Sequence, residues 1–370
     1  MSTVCQKDLC CGCMACIDIC PVHAISMDKG IRAYNANIDE TVCIKCNKCH
    51  KTCQNNKDIY VSAPISWHEA WVSNDTIRKA SSSGGVGAQL IRTFIKSYGE
   101  VYACQFADGE FKYARVDSAE QLDTFIGSKY IKSDPIGVYK EIISVLKNKK
   151  KVLFIGLPCQ VAALKSMCGS DYSNQLYTVD LICHGSPSPA LLKKYLSEHH
   201  INIYKISNIQ FRNKQSFSLS ISDNKIGPHY CTDAYTYAFL NGLDYTENCY
   251  SCKYARLERV ADITIGDSWG SDKPESEQKK GISLVLCQSE KGQDLLAHSE
   301  LHFENVSLEK AVNANHQLHA PSKKPQQREL FITRVSKHNS FTWTVIRIYY
   351  LYYIKQWVKE ILRKLHIRNK

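Results

Sequence analysis

With 370 residues, the chain has room for a sizeable core and more than one domain, which excludes a small disulfide-stapled scaffold. Its net charge of 47 − 36 = +11 hints at nucleic acid, yet twelve Lys/Arg against Glu329 and Glu360 put +10 of it in residues 321–370. The rest carries about +1, so a basic nucleic-acid-binding core is excluded. Eighteen cysteines and no apolar leader in MSTVCQKDLCC are expected of a reducing, cytoplasmic chain. There, clustered cysteines serve metals or redox chemistry rather than bridges.

Ten of the eighteen cysteines lie between Cys5 and Cys53. Cys10, Cys13, Cys16 and Cys20 follow C-x2-C-x2-C-x3-C-P, closed by Pro21, and Cys43, Cys46, Cys49 and Cys53 repeat the spacing without the proline. The short gaps bring three thiolates of one loop to three corners of a cubane, and the fourth cysteine is thrown onto the other cluster. One 4Fe-4S cluster is therefore expected on Cys10, Cys13, Cys16 and Cys53, and a second on Cys43, Cys46, Cys49 and Cys20. Gly12 and Ala15 suit a backbone that approaches sulfur closely. Paired zinc knuckles are the alternative, which the trailing x3 spacing disfavours. The segment resembles a bacterial two-cluster ferredoxin. Cys5 and Cys11 are left without a role.

Ile65 to Val72 reads as a strand. Ser83, Gly84 and Gly85 then lead into a helix with Leu90, Ile91, Phe94 and Ile95 at helical spacing, a turn that could serve a phosphate or simply be a turn. Val101–Phe106 reads as a strand, Tyr139–Leu146 as a helix and Lys151–Ile155 as a strand ending before Cys159. Gln160–Met167 follows as a helix, Leu176–Ile182 as a strand ending at Cys183, and Pro189–His199 as a helix. This alternation implies an α/β domain with a largely parallel or mixed sheet, whose ligands sit beyond the strands' carboxyl ends. Cys159 and Cys183 fall there, and Cys249 and Cys252 form a further C-x2-C pair. Together they supply four thiolates, enough for a third cubane; alternatively Cys159 and Cys183 are buried fillers. Cys104, Cys168, Cys231 and Cys287 are read as packing residues.

Seven motifs occur in order: Ser83-Gly84-Gly85-Val86, Gly127-Ser128-Lys129-Tyr130, Gly156 to Leu164, Asp180 to Gly185, Phe211-Arg212, Cys249-x2-Cys252 and Asp262 to Gly270. Together they resemble the family of beta subunits of coenzyme F420 hydrogenases and dehydrogenases, from about Trp67 to about Leu296. The resemblance implies FAD beside a third 4Fe-4S cluster held by Cys159, Cys183, Cys249 and Cys252. It places Ser83, Gly84 and Gly85 against the flavin or its phosphates, Lys129 against the ring or substrate, and His184 and Asp267 near the site. The architecture expected is an α+β ferredoxin-like dicluster domain at residues 1–57 and a flavoprotein domain at 65–150 and 151–320. A basic tail follows at 321–370.

The function expected is a ferredoxin-linked, FAD-dependent reductase of a small molecule, such as a surface-polysaccharide intermediate. Direct deazaflavin chemistry, or a non-catalytic electron-transfer subunit, is the alternative. In the tail, Ile346, Tyr350, Tyr353, Trp357, Ile361 and Leu365 share a helical face while Arg347, Lys355, Lys359 and Arg363 mark another. Such a helix suits peripheral contact with the inner face of an anionic membrane, or docking on protein.

Overall fold

The computed structural model describes residues 2–365 except 223 and 338; the last five positions of the expected tail lie outside the described residues. In the N-terminal module, strands β1 (Ser2–Thr3), β2 (Ile25–Lys29) and β3 (Tyr34–Ile38) form a small antiparallel sheet in the order β1-β3-β2. Two short helices, Ala15–Ile19 and Lys48–Thr52, pack beside it.

A mixed sheet of eight strands dominates the rest. Its strands are β4 (Ser66–Val72), β5 (Gly99–Ala107), β6 (Glu110–Val116), β7 (Lys151–Gly156) and β8 (Leu176–Leu181). The small antiparallel sheet of β9 (Ile209–Asn213), β10 (Ser216–Ile221) and β11 (Asn224–Lys225) interrupts the series, which resumes with β12 (Ile263–Asp267), β13 (Ser283–Cys287) and β14 (Leu301–Glu304). The order is β14-β4-β13-β12-β8-β7-β5-β6. Strands β12, β8, β7 and β5 run parallel, and antiparallel pairs close both edges.

Both faces of the sheet are covered, as the pleat of β7 shows. Val152 and Phe154 point to the helices Val138–Lys147 and Pro158–Cys168, and Leu153 points to the opposite side. There the helix Val86–Ser97 buries Leu90, Ile91 and Phe94 completely or nearly so. Burying such a side chain is worth about 1.5–3 kcal/mol, so these two layers fix the sheet and hence the strand ends.

Residues 65–150 and 151–320 share one sheet, since β5 and β6 lie in it with β7, β8 and β12. From the basic segment that follows, Phe331, Ile332, Phe341 and Val345 pack with Leu191, Tyr195 and Tyr235 in one core. Of that segment's helices, only Tyr350–Lys364 has no fully buried residue.

Candidate metal centres

The two cysteine loops of the module share one backbone. Their third and fifth residues, Gly12 and Met14 in the first and Lys45 and Asn47 in the second, all have positive φ, between 55° and 70°. Each loop then enters a five-residue helix. Left-handed residues curl the chain so that consecutive amides and thiols face one centre. Cys20, Cys43, Cys46 and Cys49 line one cavity of about 460 Å³. The backbone N–H of Ala24 donates to Cys20 Sγ at 3.3 Å, and that of Lys45 to Cys43 Sγ at 3.4 Å. Cys10, Cys16 and Cys53 lie together in the module's buried core with Cys5.

A further cavity of about 360 Å³ opens where the module meets the carboxyl ends of β7 and β8. Cys159, Cys183, Cys249 and Cys252 all line it, and so does Cys11 of the first loop. Gln54 Nε2 donates to the Cys11 sulfur at 3.0 Å, and Cys11 faces Cys159 across the shared lining. Cys11 thus joins the first loop to the third set. Its signal in the sequence was the doubled cysteine Cys10-Cys11.

Lys132 is a buried cation that lines this cavity. It is 5% exposed, its Nζ donates to the Cys11 carbonyl at 2.9 Å, and it lies over the Tyr34 ring at 5.3 Å. Burial pulls its pKa down, but Cys249, Cys159 and Cys11 outweigh that and raise it. No carboxylate is paired with it among the described residues. A buried ammonium without a counter-ion is costly; a thiolate-bound cluster would supply the missing negative charge. The thiols need positive charge in return: burial and the neighbouring Cys249 and Cys252 push Cys183 up to about 12, and burial and Cys249 push Cys252 up to about 11.

Among the described residues no three His, Cys, Asp or Glu converge to hold a single metal ion. Two sets, Cys20, Cys43, Cys46 and Cys49 and the five thiols of the cavity with Cys11, instead stand around cavity walls, which suits a multi-iron cluster better than zinc. All eighteen cysteines are free thiols, with no disulfide among them.

Two ion-pair systems set the cavity's walls. Buried Arg259 reaches Asp180 at 3.2 Å and the carbonyls of Tyr254 and Leu181 at 2.6 and 2.8 Å. Arg328, fully buried, donates to the Tyr245 carbonyl, the Tyr250 hydroxyl, Glu247 and the Arg32 carbonyl. It thereby ties the Cys249 turn to the module.

The residues expected to hold a flavin do not form its cradle. The Gly84 N–H donates to Ser283 Oγ at 3.0 Å, and its carbonyl accepts from Val72 N–H at 2.8 Å. A Cβ at Gly84 would stand 2.4 Å from the Ala70 carbonyl oxygen. Gly84 and Gly85 therefore let a helix pack on the sheet, and the carbonyls of Ser81 and Ser83 face Lys214 Nζ. Lys129 Nζ is turned onto the carbonyls of Phe125, Ile126 and Gly127. Asp267 is not a free base: Arg212 holds both its oxygens, at 2.6 and 2.7 Å, in a small separate cavity. His184 does line the cysteine cavity, where burial lowers its pKa and keeps it neutral near pH 7.

Residues 149–309 match the family model for the C terminus of the beta subunit of coenzyme F420 hydrogenase/dehydrogenase, and residues 6–26 match a 4Fe-4S binding domain. Over 337 residues the chain is 22% identical to the F subunit of F(420)H(2) dehydrogenase from Methanosarcina mazei, covering 85% of this chain and 93% of that protein. Its fold is similar to a chain of the F420-reducing [NiFe] hydrogenase complex from Methanosarcina barkeri. That likeness has a TM-score of 0.51 and 17% identity over 76% of this chain and 96% of the other.

Proposed function

Since the chain belongs to the family of coenzyme F420 hydrogenase/dehydrogenase beta subunits and carries a 4Fe-4S domain at its N-terminus, we propose that it relays single electrons through three cubane clusters as one component of a deazaflavin-linked complex. The observation that carries this reading is the third cavity, lined by five thiols and by a buried lysine that pairs with no carboxylate among the described residues. Cys159, Cys183, Cys249 and Cys252 would hold the third cluster, and Cys11 would stand between it and the cluster on Cys10, Cys13, Cys16 and Cys53. The cluster on Cys20, Cys43, Cys46 and Cys49 would face external donors or acceptors such as ferredoxin.

The clusters, when bound, take and give one electron at a time. The protein's part is to hold them in line, keep water from the inner two and balance their charge. Lys132 and Arg259 supply positive charge at the inner cavity; the N–H groups of Ala24 and Lys45 stabilise sulfur at the outer one.

The deazaflavin reading is favoured over a polysaccharide reductase by the relatives, whose names concern F420. A deazaflavin gives up two electrons as a hydride, so its complex also needs a two-to-one converter. The Ser83–Gly85 turn does not fit as that converter's cradle.

Protein purified without oxygen should contain about twelve irons and equal acid-labile sulfide. Cys249→Ser combined with Cys252→Ser should remove about four irons and one set of paramagnetic resonance signals from the reduced protein, leaving the others. About eight irons in the parent would refute the third cluster.

A further inference from the structure

The helix Tyr350–Lys364 meets the body of the protein with an unusual side. Tyr352 stacks on Tyr237 with ring centroids 4.0 Å apart, and its hydroxyl accepts from the Thr232 N–H at 3.1 Å. Tyr353 packs against the same ring, while Gln356 and Glu360 are half-buried on that side. The apolar residues at helical spacing face away: Leu351 is 68% exposed, Ile354 54%, Trp357 55%, Val358 43% and Leu365 60%. A surface helix ordinarily buries its apolar stripe and solvates the other. Here the stripe is turned outward.

Lys355 and Lys359 border the stripe, and neither is ion-paired with a carboxylate among the described residues. Glu360 is paired with Arg363 at 2.9 Å and Lys364 at 3.8 Å, so the acidic residue of the helix is neutralised while Lys355 and Lys359 keep their charge. The preceding helix Phe341–Ile348 presents Trp343, 64% exposed, and Arg347. No helix among the described residues is long and apolar enough to cross a membrane. Such a stripe, edged by lysine with tryptophan at the border, lies in an interface.

We propose that this helix anchors the protein on an anionic lipid bilayer, with Leu351, Ile354, Trp357 and Val358 among the acyl chains and Lys355 and Lys359 at the headgroups. Charge selects the occupant. Residues 321–370 carry +10; a second copy would set like charges together, whereas anionic headgroups complement them.

The test uses the full chain with its clusters and flotation with vesicles. Binding is expected to vesicles containing phosphatidylglycerol and to be at least tenfold weaker to phosphatidylcholine alone. Leu351→Glu with Val358→Glu should abolish binding with iron content and melting temperature unchanged. Lys355→Glu with Lys359→Glu should weaken it about tenfold or more. Absence of binding to anionic vesicles, equal binding to both kinds, or unchanged binding by the apolar variants would overturn the proposal. So would a vesicle-free dimer, or a copurifying protein, that Leu351→Glu with Val358→Glu disperses.

Discussion

The two cysteine loops of the module have the same spacing and the same left-handed turns, yet one is walled in and the other stands in solvent. Around the first, Gly12 abuts Tyr34 and Lys132, and Cys11 lines one cavity with Cys159 beyond the end of β7. Around the second, Ile44 is 60% exposed and Cys46, Lys45 and Lys48 are exposed. The repeat specifies the cage, and its surroundings specify which end faces the interior. A wire needs both, an insulated end and an end that a partner can touch.

The sharpest break of this comparison is at the equivalent positions Gly12 and Lys45. Gly12→Ala puts a Cβ 2.7 Å from the Tyr34 ring at φ +70°. It should cost about 2–4 kcal/mol, read as a lower thermal midpoint and loss of iron. Lys45→Ala has the same backbone and no such wall, so its midpoint should stay within about 0.5 kcal/mol of the parent.

Removing the interior charge comes next. Lys132→Met should lower the potential of the third cluster so that its reduced fraction falls about tenfold at fixed poise, about 59 mV, with Lys132→Arg closer to the parent. The cluster facing Cys46 should keep its potential in a redox titration followed by paramagnetic resonance.

At the outer loop, Lys48→Glu with Lys51→Glu should slow electron exchange with an acidic external partner by about tenfold at low salt. The difference should vanish as salt rises in stopped-flow measurements, and the third cluster's potential should not move. The smallest change is Asn47→Gly, which relieves the left-handed φ of 58°. It should stabilise the module by about 0.5 kcal/mol, seen in denaturant unfolding.

What could be read before folding was what short spacing encodes. The cysteine runs, and the strand-then-cysteine pattern at Cys159 and Cys183, are local, and their convergence on cavities follows from the turn and the parallel strands. Cys11 and Lys132 take their meaning from the docking of the module, which joins positions more than a hundred residues apart; nothing local separates Lys132 from nearby Lys129. Ser83, Gly84 and Gly85 were legible only as a turn, for a related reason. A glycine turn before a helix looks the same whether its amides face a phosphate or a neighbouring strand, and here the strands are β4 and β13. A mixed sheet was expected, but the partners of its antiparallel edge were not legible, because β4 pairs with residues more than two hundred positions away.

Arg328 gives the molecule a timetable. It follows both in sequence, yet it fastens Arg32 of the module to the turn before Cys249. During synthesis the module and the sheet emerge long before this clasp does. The turn that carries Cys249 can therefore be fastened to the module only once Arg328, 296 positions after Arg32, has been made, so the order of synthesis sets the order in which these walls close.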